Sequence, residues 1–351
     1  MNANPARKGK LTGATITLSH GSGGKAMRDL IDDIFVNGFD SAELNMLEDQ
    51  ARLDIAALAR QGDRLAMTTD SYVVDPLFFP GGDIGKLSVT GTINDLAVGG
   101  AIPLYLTCGM IIEEGFAIED LRRIVHSMKQ TADAAGVRIV TGDTKVVHKG
   151  AADKLFINTA GIGVIPRGIQ IGANRAQPGD VVICNGYIGD HGAAIVDARG
   201  ELAIENTIQT DCASLSGLIQ AMLAVCPDIH CMRDATRGGI ATVLNEFAQA
   251  SECAIRIHET SIPVRNEVRG MCEILGLDPL YLANEGKLIA LVPAAQAQTV
   301  LYAMRAHPTG KDSVIIGEIS TRPAGRVILS TGFGGDRIVD MLVGEQLPRI
   351  C

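Results

Sequence analysis

Two α/β domains in tandem are the fold class this sequence predicts, and three observations carry the prediction. The chain has 351 residues, long for one domain and enough for two that each bury a core. Apolar segments with strand and helix periods alternate on both sides of its middle. Between them, residues 166–180 (PRGIQIGANRAQPGD) collect turn formers and lose periodicity, which marks a boundary. A hydrophobic content of 46% against 20% charged residues, with 40 glycines, describes a packed protein with many tight turns.

In the first half, 64–69 reads as a strand, 85–98 as a helix, 102–112 as a strand, 118–135 as a helix, and 137–141 and 155–165 as strands. The second half runs through a strand at 181–185, helices near 193–199, 214–225 and 238–250, and a strand at 254–258. A helix at 264–275, a strand at 287–292, a helix at 294–307 and strands at 313–318 and 326–330 complete it. The division is a polar extension at 1–14, a first domain at 15–167, a second at 168–342 and a mobile tail at 343–351.

Net charge is −9, and the chain has no Trp and few aromatics, so the basic stripe and stacking rings of a nucleic-acid binder are missing. No apolar run reaches the roughly 18 residues of a membrane span, and 1–13 lacks a hydrophobic signal core. A cytoplasmic protein without membrane or nucleic-acid partners is expected. Eight cysteines are scattered without a C-x-x-C pair, which signals neither a zinc knuckle nor a disulfide framework.

One of those cysteines, Cys351, follows Pro348, Arg349 and Ile350 at the last position of the sequence. Last residues are poorly ordered unless something holds them, so this thiol is expected to travel between sites. Pro348 keeps the segment from continuing a helix, and Arg349 is expected to place a cation beside the thiol. Four aspartates stand where strands end or helices begin: Asp70, Asp95, Asp143 and Asp234. Each alone is explained by turn or cap chemistry. Together they suit Mg²⁺, which takes hard oxygen ligands and neutralises a nucleoside triphosphate.

Phosphate also calls for backbone donors and a cation, which HGSGGK at 20–25 and GGDIGK at 81–86 offer, the latter opening a helix at Lys86. Neither fits the P-loop pattern. Lys145, two residues after Asp143, shares its face if the strand continues, and Glu285 lies just before a strand. In a pocket, Glu285 can accept a proton and Lys145 can offset negative charge; on a surface both are merely solvated. Arg237 opens the helix after Asp234, where an ordinary helix start explains it equally well. The residues by themselves reach a Mg-nucleotide enzyme with a mobile thiol.

HGSGG at 20–24, TDSY at 69–72, DPLFFPGG at 75–82, VTGDTKVV at 140–147, RDATRGG at 233–239, ANEGKL at 283–288 and the final PRIC carry a further reading. From residue 20 to 351 the chain resembles the HypE family of hydrogenase maturation proteins, carbamoyl dehydratases. That family belongs to the superfamily of aminoimidazole ribonucleotide synthetase, selenophosphate synthetase and thiamine-monophosphate kinase. The resemblance implies two domains, the first pairing with a second copy into a β-barrel-like homodimer core with clefts for ATP. It implies Asp70, Asp95, Asp143 and Asp234 as Mg²⁺ and phosphate carboxylates, Lys86 as a phosphate contact, and Lys145 and Glu285 as catalytic residues with Cys351. A HypF-like carbamoyltransferase would load a carboxamide on Cys351, ATP would drive its dehydration to a thiocyanate, and a HypC–HypD complex would receive cyanide on iron. The rival readings are another ATP-using member of the superfamily and a nucleotide-binding scaffold without chemistry.

Overall fold

The computed structural model describes residues 11, 13–200, 207–344 and 347–351, so the expected extension at 1–14 lies mostly outside the described residues. The first unit is built from β1 (Arg64–Tyr72), α1 (Ile84–Val98), β2 (Ile102–Glu113), α2 (Ile118–Ala134), β3 (Arg138–Val147) and β4 (Leu155–Ile165). Its sheet has the order β1-β4-β2-β3. Only β2 and β3 run parallel, with α2 as their crossover. Strand β3 continues past the expected end at 141, because residues 141–147 pair one by one with β2. The turn-like Gly142-Asp143 is therefore strand.

Pairing fixes which side chains share a face, since directly paired residues point the same way. One row runs Asp70, Thr159, Cys108, Gly142; the neighbouring row runs Ser71, Asn158, Gly109, Asp143. The first row looks toward α1 and α2, whose Leu87, Ile93, Leu121 and Ile124 are fully buried in the core. The second row lies on the uncovered face, where Leu65, Met67 and Ile111 are exposed apolar side chains. One chain thus contributes an open sheet and not a closed barrel.

The second unit contains β5 (Val181–Cys184), α3 (Asp190–Ala198), α4 (Ser216–Val225), β6 (Cys231–Asp234), α5 (Gly239–Ala250), β7 (Ala254–His258), α6 (Asn266–Leu275), β8 (Leu288–Val292), α7 (Ala297–Ala306), β9 (Val314–Ser320), β10 (Arg326–Ser330) and β11 (Asp336–Val339). Its seven strands are ordered β11-β10-β7-β9-β5-β8-β6. Strand β8 is buried at every position because α5 packs on one face of the sheet and α4 with α7 on the other. That is why it reads as an unbroken apolar run. Among the described residues no helix is long and apolar enough to cross a membrane.

Helix α1 joins the units. It is buried on nearly all sides, polar residues included, because it lies between the first sheet and the second unit. Asn94 Nδ2 donates to the carbonyls of Ala213 (3.1 Å) and Glu285 (3.4 Å), and its Oδ1 accepts from Leu215 N at 2.8 Å. Thr90 Oγ1 lies 3.0 Å from Cys212 Sγ. An Asn94→Ala substitution leaves buried backbone groups unpaired and is expected to cost about 2–4 kcal/mol, read as a lower urea midpoint with an unchanged slope. A loss below about 0.5 kcal/mol would show that the units do not depend on this junction.

Candidate functional site

Residues 347–351 are docked, not loose. Val73 N donates to Cys351 O (3.1 Å) and Asp75 N to Arg349 O (3.3 Å), so the segment lies along the chain leaving β1. Arg199, just past α3, clamps it by donating to Pro348 O (2.6 Å), Arg349 O (2.9 Å) and Asp75 O (2.9 Å). His191 Nε2 lies 2.8 Å from Ile350 O, and the Ile350 side chain is 5% exposed within the first core.

Arg349 does not do what its place in the sequence suggests. It takes a left-handed φ of +53°, so its side chain turns away from Cys351, donates to Val73 O at 3.1 Å and pairs with Asp153. The cation whose charge favours the Cys351 thiolate is Arg237, and it is outweighed. Burial first, then the neighbouring Glu285 charge, push the thiol up to about 12.

Glu285 is fixed by its own motif. Asn284, fully buried, accepts from Gly189 N at 2.7 Å and donates to Ala235 O at 2.8 Å. A Cβ on Gly286 would meet Asp211 O at 2.0 Å, so only glycine fits there. Asp211 accepts from Glu285 N (3.0 Å) and Gly286 N (3.2 Å). Burial is the largest influence and opposes its charge, but Lys287 at 3.2 Å, the Glu285 N–H and His191 together outweigh it and hold Asp211 below the usual carboxylate range. The Glu285 carboxyl is held well above its ordinary range by burial, then by Asp211, Asp234 and Asp70. Its Oε1 is buried with no hydrogen-bond partner.

Three of the four predicted aspartates converge with it. Asp95, on α1, accepts from Thr68 Oγ1 at 3.0 Å and is raised by burial, then by Asp70. Asp234, closing β6, is raised to about 7 by burial, then by Asp95. Asp143 does not join them. It lies on the opposite sheet face from Asp70, and Lys145, 2.8 Å away and exposed, lowers it by hydrogen bonding. The expected gathering of four aspartates with Lys145 and Glu285 therefore does not occur within one chain, because strand parity separates them. Among the described residues no three His, Cys, Asp or Glu side chains are close enough to hold a metal ion by themselves.

The helix start at Lys86 is also not an open anion cradle. Asp83 caps it, accepting from Gly85 N (2.7 Å) and Lys86 N (3.1 Å), while Lys86 Nζ donates to Gly81 O at 3.0 Å. Lys25, in the other glycine-rich stretch, pairs with Asp29.

The AIR synthase related protein N-terminal domain model matches residues 47–165, and the corresponding C-terminal domain model matches 177–330. Carbamoyl dehydratase HypE of Rhodobacter capsulatus is 58% identical, over 96% of this chain and 98% of its own length. The chain belongs to the HypE family of carbamoyl dehydratases. A crystal structure of hydrogenase maturation protein HypE in complex with ATP superposes with a TM-score of 0.91 at 48% identity, covering 95% of this chain and 99% of that one. The crystal structure of a HypE–HypF complex gives 0.77 at 46%, covering 89% and 99%.

The HypE motifs do not include all that the site uses. His191, Arg199 and Asp211 lie outside them, and only Asp-His-Gly directly after a strand and turn offered a signal for the first. The docked thiol carries its own test. Docking raises the thiol from an ordinary 9.0 to about 12, so docking is fully present below pH 9 and is lost as pH rises toward 12. Alkylation of Cys351 by iodoacetamide is expected to be slower than that of a Pro-Arg-Ile-Cys peptide at pH 8 and to converge with it in strong alkali. Equal rates at pH 8 would mean that the segment is not docked in solution.

Proposed function

We propose that the chain dehydrates a carboxamide carried on the Cys351 sulfur to a thiocyanate, using ATP and Mg²⁺, and so supplies cyanide for the iron of a [NiFe]-hydrogenase. The docked segment carries this reading: it brings the Cys351 sulfur into one cleft with Glu285 and Asp70, each of whose charges raises the thiol. The ATP complex of a HypE at 48% identity supports the nucleotide, and the HypE–HypF complex supports a HypF-like carbamoyltransferase as the loading partner.

The residues suit a cation brought in with its triphosphate: Asp70, Asp95 and Asp234 are hard oxygen donors whose charges oppose one another. When bound, ATP with Mg²⁺ supplies the phosphoryl group that makes the amide oxygen a leaving group. The rest falls to the chain. Cys351 holds the carbon, burial around Ile350 keeps water out, and Glu285 takes one of the two amide protons as the oxygen is phosphorylated, the second leaving with the phosphate as the C–O bond gives way to C≡N. Offsetting the charge of Asp70 and Asp234 removes part of what holds the Glu285 carboxyl above its ordinary range, while burial and Asp211, the larger causes, stay in place.

Lys145 and Asp143 enter through a second copy. A homodimer closing the face that carries Leu65, Met67 and Ile111 into a β-barrel-like core takes Asp143 and Lys145 into its interface, where Lys145 can offset charge on the amide oxygen. Lys86 then serves as a phosphate contact after leaving Gly81 O. The division at 167/168 separates this dimerising half from the half that supplies Glu285 and Asp234. The reading places the enzyme in the cytoplasm, with an iron-bearing complex resembling HypC–HypD as cyanide acceptor. Mass spectrometry of chain carbamoylated on Cys351 tests it: ATP and Mg²⁺ should remove one water from that residue, and an unchanged mass would refute the proposal.

A further inference from the structure

His191 is fully buried at the start of α3, with Phe79 edge-on to its ring at 5.6 Å. Its Nδ1 lies 2.8 Å from Thr210 Oγ1 and its Nε2 2.8 Å from Ile350 O, one residue from the reacting sulfur. A carbonyl oxygen only accepts, so Nε2 carries the hydrogen, and Nδ1 accepts from the Thr210 hydroxyl. Burial lowers the proton affinity of the ring, although the nearby Asp211 charge works the other way. The ring is thus a neutral donor with a single tautomer, set by the Ile350 carbonyl and matched by the Thr210 hydroxyl. Arg199 also holds the segment, but by carbonyls farther from the sulfur.

From this arrangement we infer that His191 is a positioning residue, a latch that holds Ile350 and thereby sets how often Cys351 occupies the cleft. It does not touch the reacting atoms. The inference rests on the reading that the segment leaves to be loaded and returns to react. A latch acts with opposite sign on those two events: weakening it exposes the sulfur to outside reagents and starves the cleft of it. A residue that merely supports packing would lower both or neither.

The test uses the full chain and two readouts. The first is iodoacetamide alkylation of unloaded Cys351 at pH 8; the second is single-turnover nitrile formation by carbamoylated chain with ATP and Mg²⁺. His191→Phe is expected to speed alkylation and slow nitrile formation, each by about 3- to 10-fold, the worth of one buried hydrogen bond. His191→Gln, whose Nε2 can take the donor position, should restore both toward the parent values. Thr210→Val, which leaves the buried Nδ1 unpaired without touching the segment, should shift both in the Phe direction by a smaller factor, and it serves where the Phe variant fails to fold. Unchanged alkylation in the Phe or Val variant overturns the latch, and so does a Gln variant as impaired as Phe. If the parent chain forms no nitrile, the proposed reaction fails while the alkylation series still decides the latch.

Discussion

Serine in place of Cys351 is expected to abolish nitrile formation, a fall of about three orders of magnitude or more, because a hydroxyl at neutral pH lacks the nucleophilicity of a thiol. Folding should be nearly untouched. The segment is held through the backbone oxygens of residues 348–351 and the Ile350 side chain, all retained in the variant. The informative measurement is therefore paired: carbamoylation and nitrile detection by mass spectrometry, alongside thermal unfolding. A serine variant that still delivers nitrile would remove Cys351 from the chemistry, whatever its stability.

Glu285→Gln is expected to lower nitrile formation by about 10²- to 10⁴-fold, the usual worth of a positioned base. It also has a signature independent of turnover. The carboxyl is held above its ordinary 4.5, so the stability it contributes is fully present below pH 4.5 and is lost as pH rises through the folded value. Glutamine keeps the shape and cannot ionise. The variant should thus gain stability over the parent chain between pH 5 and pH 8, read from urea midpoints at both. A difference that does not change with pH would place Glu285 in a solvated setting, and equal turnover would remove it from the mechanism.

Much of the fold could be read from residue order where one period dominated. Residues 155–165, 254–258 and 326–330 form strands at the expected positions, and the helix expected at 85–98 runs Ile84–Val98. Short edge elements were silent: β6 is four residues long, carries Arg233 and Asp234, and has no alternation to detect. The helical run from Lys25 to Phe39 also went unread, because Asp32 and Asp33 interrupt its apolar spacing.

The site was legible as a set of carboxylates and not as an arrangement. Whether Asp143 shares a face with Asp70 depends on strand register, which comes from pairing across the sheet and not from neighbours in sequence. Arg349 was misread for the opposite reason: adjacency to Cys351 suggested contact, and a single left-handed residue redirects its side chain. His191 acquires meaning only once Ile350 lies against it.

The junction at Asn94 has a mechanical consequence. Its buried bonds hold Ala213, Leu215 and Glu285 against α1. Prying the halves apart would strand these groups at about 1–3 kcal/mol apiece, whereas releasing the five final residues leaves the interior seam intact. In the proposed cycle, traffic is consequently governed by a door and not by jaws: the frame stays shut while a short flap of backbone comes and goes.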